Sequence, residues 1–273
     1  MMRRPRKGVE ANPEGLDGPL RRVPIPRHDA TPTLRRVWNE NARRDAFFSV
    51  LGGRDLVGKP WDPSAFYATG RREVEELFAR LTRLGVSPGF RTALDLGCGA
   101  GRLSEALVGR FQEVYAVDVS DAMIEVARRQ STHPNVQYSR LGTSDLSDFR
   151  DRSMDFVLSH LVLQHTGRRL ALRYLREVIR VLAPHGVAEL QLPINFQGLR
   201  GLLAAVLPDA VIGLYQRRAY GVVFTTTFPI PHRTVIRVVR GGGGIVLDFA
   251  RADVNDTAVV GSYVIAKAPT GPS

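Results

Sequence analysis

The chain has 273 residues, with 38 lysines and arginines against 27 aspartates and glutamates, a net charge of +11. That length buries a full core, so one catalytic domain with appendages is expected rather than two domains. A single cysteine excludes an intrachain disulfide, and with no apolar run suited to a secretory leader or a bilayer span, a reducing, cytoplasmic setting is expected.

The charge is unevenly spread. Residues 1–36 carry nine basic and four acidic residues and residues 195–240 carry six and one, so each segment is net +5 and the rest of the chain is +1. Only Lys7, Lys59 and Lys267 are lysines. Such an arginine bias arises from base composition as readily as from phosphate binding, which makes nucleic acid a secondary expectation as partner.

Residues 1–30 mix arginine, proline and glycine without periodicity and read as a disordered basic arm. From Thr33, the spacing of Leu34, Val37, Trp38, Ala42, Ala46 and Phe47 predicts a helix ended by Gly52 and Gly53. Trp61–Gly70 reads as a turn-rich segment, followed by an amphipathic helix through Val74, Leu77, Phe78, Leu81 and Leu84 that stops at Gly85. Residues 31–90 are thus expected to form an N-terminal helical cap. Strands are then expected near 92–96, 113–118, 136–141, 154–160 and 186–193, and helices near 102–110, 121–130 and 168–182. Residues 195–231 break this rhythm with two short apolar helical pieces around Pro208 and Asp209. They read as a lid, a dimer contact or a membrane-surface patch. A helix from His232 and strands at 245–249 and 262–266 close a domain spanning 91–267, with 268–273 as a tail. Alternation at this spacing predicts an α/β, Rossmann-like, seven-stranded and mostly parallel sheet with helices on both faces.

The densest signal is Ala93-Leu94-Asp95-Leu96-Gly97-Cys98-Gly99-Ala100-Gly101, an apolar run, an acid and three glycines at alternate positions before Arg102-Leu103-Ser104. Strand, tight turn and helix open a nucleotide-binding unit, with glycine where backbone needs positive φ or close approach to a ligand. A dinucleotide fingerprint places a third-position glycine where Arg102 stands. Asp95 is suited to an ammonium group, and Asp118, ending the next apolar run, to two ribose hydroxyls. Ser120 is a candidate N-cap.

With Ser120-Asp121-Ala122-Met123 these residues resemble the class I S-adenosylmethionine-dependent methyltransferases, well over 90–194 and loosely over the last forty residues, and the resemblance implies that the sheet ends in an antiparallel closing strand. The resemblance implies S-adenosyl-L-methionine as cofactor, contacted by Asp95, Gly97, Cys98, Gly99, Gly101, Asp118, Val119 and Ser159. Met123 would lie against adenine, with Asp145 or the backbone of Thr143 and Ser144 at its amino group, and Tyr67 and Gly70 would approach from the cap. The activity implied is in-line methyl transfer to a hydroxyl or amine of a small molecule or glycan. The alternatives are an RNA methyltransferase using the basic segments, or a catalytically silent cofactor-binding subunit. His165 and His160, leaving the fourth strand at the ligand-binding edge, are the candidate general bases. No Asn/Asp-Pro-Pro-aromatic motif follows that strand, which argues against methylation of base amino groups. No residues have metal-ligand spacing. Expected assembly is a monomer or homodimer, with peripheral membrane contact left open.

Overall fold

The computed structural model describes residues 31–51, 61–196, 228–253 and 258–268, together with Leu207, Val211, Leu214 and Arg218. The expected arm at 1–30, most of the segment 195–231 and nearly all of the tail lie outside the described residues.

Two helices precede the sheet. The first, α1 (Thr31–Leu51), is broken at Asp45, whose φ of −163° and ψ of 101° are extended. Asp45 Oδ1 accepts from Phe48 N–H at 2.9 Å, capping the second piece. The second, α2 (Pro63–Arg83), starts eight residues or more before its apolar stripe suggests. The stretch read as turn-rich is the helix's own beginning: Asp62 is the N-cap, accepting from Ser64 N–H at 2.7 Å, and proline stands at the first position, where its missing N–H costs nothing. Gly70 survives inside the helix for a packing reason. A Cβ there would lie 2.1 Å from the carbonyl oxygen of Arg102.

The sheet comprises β1 (Thr92–Leu96), β2 (Glu113–Asp118), β3 (Val136–Arg140), β4 (Met154–Ser159), β5 (Leu182–Phe196), β6 (Gly244–Asp253) and β7 (Ala258–Lys267), in the order β3-β2-β1-β4-β5-β7-β6. β1 to β5 are mutually parallel, and β7 runs antiparallel to both β5 and β6. The order reverses between β1 and β4, so the crevice beyond their carboxyl ends is where a ligand of such a sheet sits. The helix expected at 102–110 shrinks to α3 (Ser104–Leu107), flanked by turns, whereas α4 (Asp121–Gln130) matches its expected bounds. His185 holds φ of +63°, the left-handed conformation that favours glycine, inside β5 where its pairing with β4 shifts register between Leu182 and Val187.

Alternation along the strands separates two cores. Ala93, Val114, Phe156, Leu158, Val187 and Val264 meet α2 and α3 on one face. On the other, Leu94, Val157, Ala188, Leu190 and Ile265 meet α5 (Arg168–Val181) and α6 (His232–Gly241). Among the described residues no helix is long and apolar enough to cross a membrane.

Candidate active site

The turn after β1 is built from backbone. Gly97, Gly99 and Gly101 have φ of +82°, +54° and +85°, and the N–H groups of Gly97 and Cys98 both reach Val117 C=O, at 2.7 and 3.0 Å. This ties the turn to β2. The space above it is narrow: a Cβ on Gly97 would lie 2.3 Å from Val162 Cγ1, and one on Gly101 would lie 2.6 Å from the Tyr138 hydroxyl.

Asp118 closes the other side. Its two carboxylate oxygens accept from Gly99 N–H (3.0 Å) and Ser120 N–H (2.8 Å). Each oxygen keeps a second lone pair, a geometry suited to a vicinal diol. Asp95, at the end of β1, is buried and, among the described residues, accepts from Ser104 Oγ at 2.6 Å on one of its oxygens. Burial raises its pKa to about 6, against the lowering pull of Ser104, His160 and Arg102. Cys98 is buried against the turn, and burial raises its thiol well above the ordinary value, so no thiolate chemistry arises there.

Helix α1 walls the same edge. Asn39 Oδ1 accepts from Ser120 Oγ (2.8 Å) and Ala122 N–H (3.1 Å), and Val50 lies over Gly99. Ser120 in turn caps α4 by accepting from Met123 N–H at 3.1 Å. Met123 is fully buried with Phe66 and Ala100, and Phe47 stacks on Phe66 at 4.4 Å between ring centroids. Tyr67 donates to Ala100 C=O at 2.8 Å, so Tyr67 and Gly70 both touch the glycine turn. Ser159 donates to Leu96 C=O at 2.9 Å, tying the ends of β4 and β1. Val119 packs at the margin of the main core.

The loop after β3 starts beside Asp118, since Leu141 N–H donates to Asp118 C=O at 2.8 Å. Within it, Arg173 of α5 holds Asp145 at 2.6 Å and Ser144 Oγ at 2.8 Å, and Thr143 donates to Asp145 C=O at 3.3 Å. Bonds from Ser147 and Thr143, with Arg173, keep the Asp145 carboxyl below its usual range.

The two histidines part ways. His165 sits in a short 3₁₀ turn, edge-on to Trp38 of α1 at 5.4 Å. The amide nitrogen of Gln164 lies 3.1 Å from its Nε2, and an amide nitrogen only donates, so Nε2 accepts. His160 points to the opposite side, under α2. Its Nδ1 lies 2.5 Å from Glu73 of α2, and its Nε2 bonds Glu189 of β5. Glu189 also accepts from Ser262 of β7. Arg102 pairs with Glu73 at 2.6 Å, and Arg80 bonds Asp248 at 2.7 Å and Ser262 Oγ at 2.5 Å. Burial works against a charge on His160, but Glu189 and Glu73 outweigh it and raise its pKa above the ordinary value. With His160 as imidazolium, three cations face three anions, and the buried charge balances. A cavity of about 560 Å³ opens beside this array between α2, β5 and β7, lined among others by Glu73, Arg80, His160, Glu189 and Gln191.

Sequence reasoning missed Asn39, Glu73, Arg80, Glu189 and Ser262. Glu189 carried a usable signal, a lone acid inside an apolar strand that has to find a cation. The other four have no mark in sequence, because their partners are remote in the chain.

Residues 94–190 match the family model described as a methyltransferase domain. The chain is 36% identical over 164 residues to a malonyl-[acyl-carrier protein] O-methyltransferase of Halorhodospira halophila, covering 56% of this chain and 54% of the relative. It is 30% identical over 133 residues to an N-demethylindolmycin N-methyltransferase of Streptomyces griseus, covering 48% and 53%. The chain thus spans about half the length of these curated relatives. Among solved structures it is similar to magnesium protoporphyrin IX methyltransferase from Synechocystis PCC 6803 with bound SAH, with a TM-score of 0.59, 16% identity and coverage of 87% of this chain and 99% of that one.

Proposed function

We propose that the chain, whose residues 94–190 match a methyltransferase-domain model and whose fold is that of S-adenosylmethionine-dependent methyltransferases of class I, transfers a methyl group to a hydroxyl or amine of a small molecule. The observation that carries the reading is the pairing of two differently equipped carboxylates across one glycine turn. Asp118 accepts from Gly99 N–H and Ser120 N–H on its two oxygens, and among the described residues one Asp95 oxygen accepts a hydrogen bond, from Ser104. This donor set fits a ribose at one end and an ammonium at the other. Arg102 in place of a third-position glycine, held by Glu73, disfavours a pyrophosphate bridge.

Bound, the cofactor supplies a methyl group on a sulfonium with a good leaving group. The protein's part is alignment and exclusion of water. The three positive-φ glycines let backbone approach without a Cβ, while Val162, Val50 and Tyr138 close around the turn. Asn39 and Tyr67 anchor the two cap helices to its two sides. His165 is our assignment for the group that takes a proton from a hydroxyl acceptor. It lies on the carboxyl edge, and its Nε2 accepts from the Gln164 amide. His160, held by carboxylates on both ring nitrogens, is assigned instead to joining α2 to the sheet.

Calorimetry with S-adenosylmethionine and with NAD tests the cofactor reading. Micromolar binding of the sulfonium compound is expected, within the usual range of substrate sites. Tighter binding of NAD would overturn it. For the base, His165→Ala should lower kcat about 100-fold on a hydroxyl acceptor and leave cofactor affinity intact. Unchanged kcat would remove His165 from that role.

A further inference from the structure

The face of the sheet away from the cap is covered by α5 and α6, which lie in contact. Both run from the carboxyl edge toward the amino edge, and their ends meet where Lys267 Nζ donates to Ile179 C=O (2.7 Å) and Gly242 C=O (3.2 Å). Their buried stripes, including Leu175, Val178 and Ile179 on α5 and Val235 and Val239 on α6, face the core. Outward they present arginine. On α5 the stripe is Arg169, Arg173, Arg176 and Arg180, about 16 Å long at helical rise. On α6 it is Arg233, Arg237 and Arg240.

Acids are scarce there. α6 has none, and α5 has only Glu177, which is paired with Arg180 at 2.8 Å. Asp145 and Asp151 are engaged by Arg173 and Arg180. Arg169, Arg176, Arg237 and Arg240 are exposed and form no ion pair among the described residues. Two cationic stripes side by side call for an extended anionic surface, and guanidinium forks suit phosphate oxygens. Neither helix exposes an aromatic ring on which bases would stack.

A second observation favours lipid. The chain enters α6 from the segment holding Leu207, Val211 and Leu214, which recur at helical spacing and are 43%, 51% and 60% exposed. Arg218 continues the same spacing and is exposed. Exposed leucine and valine next to arginine suit the boundary between headgroups and acyl chains. We infer that the arginine face of α5 and α6 is a docking surface for the phosphate headgroups of an anionic membrane.

The full chain should sediment with phosphatidylcholine vesicles containing phosphatidylglycerol, release with salt, and ignore vesicles of phosphatidylcholine alone. Replacing Arg169, Arg176, Arg237 and Arg240 by Gln should weaken binding several hundredfold, at about fivefold for each arginine near the surface. The same charge change at Arg36, Arg43, Arg71 and Arg91, which are exposed elsewhere, should cost far less. Val211→Asp with Leu214→Asp should also weaken vesicle binding. All these side chains are exposed, and an unchanged thermal melt separates lost docking from lost folding. Equal losses in the two quadruple variants would overturn the inference, because net charge alone would then explain binding. So would absence of vesicle binding alongside salt-sensitive binding to an RNA oligonucleotide that depends on the same four arginines.

Discussion

The glycine turn and the buried charge array under α2 adjoin at Arg102, yet they are made in opposite ways. The turn is a local construction: eleven consecutive residues from Leu94 to Ser104 supply a strand end, three left-handed glycines and a helix start. Its N–H groups are satisfied by the neighbouring strand, Gly97 and Cys98 donating to Val117 C=O and Gly99 to the Asp118 carboxylate. The array is a long-range construction, in which Glu73 and Arg80 of α2 meet Arg102, His160, Glu189, Asp248 and Ser262 from five other parts of the chain. A local site tolerates loss of one side chain, because backbone still defines it. In an array of paired buried charges, removing one member leaves its partner uncompensated.

This contrast is sharpest in stability. Glu189→Ala should cost about 3 kcal/mol or more in urea denaturation, since it leaves the array one anion short and takes a partner from both His160 and Arg80. A loss below about 1 kcal/mol would mean that His160 sheds its proton on losing Glu189, and that the array is less charged than its geometry implies. Asp118→Ala should instead weaken cofactor binding by about 1–3 kcal/mol in calorimetry, with a smaller effect on unfolding. If stability falls more than affinity, Asp118 serves the turn rather than a ligand.

The array should lose stability toward both ends of the pH range, and the turn should lose cofactor affinity toward the acid end. His160 has a raised pKa, so its contribution to stability is complete below its ordinary value of about 6.5 and is lost as pH rises through the raised one. Glu73, lowered to about 2 because His160 and Arg102 outweigh its burial, contributes above about 4.5 and is lost as pH falls toward 2. At the turn, Asp95 is raised to about 6 by burial, and an ammonium partner requires its ionised form, so cofactor affinity should fall as pH drops through 6. Thermal melts and calorimetry across pH 5 to 9 check both arms. Affinity that is flat from pH 5 to 8 would remove Asp95 from ammonium recognition.

The smallest effect concerns the cap. Asn39→Ala removes an acceptor shared by Ser120 Oγ and Ala122 N–H, and the loss of such a capping group costs about 1 kcal/mol. Hydrogen exchange should speed in α1 and at the start of α4 but not in α2. Equal acceleration in α2 would show that the two cap helices act as one unit.

Read along the chain, the sequence alone determined the parallel strands, the glycine turn, the two acids at the ends of β1 and β2 and the Ser120 cap, because each rests on residues a few positions apart. It misread Pro63–Gly70 as turns, since proline and glycine punctuate loops as well as helix starts and close contacts. The array and the arginine face were decided only in three dimensions. His160 acquires its partners from a helix 87 and a strand 29 residues away. Counting charge by segment found +1 outside residues 1–36 and 195–240, because a count along the chain does not show which charges share a face. Folding lays α5 against α6, two helices some fifty residues apart. Local patterning sets which face of each element is apolar, whereas which charges become neighbours depends on the order of strands in the sheet.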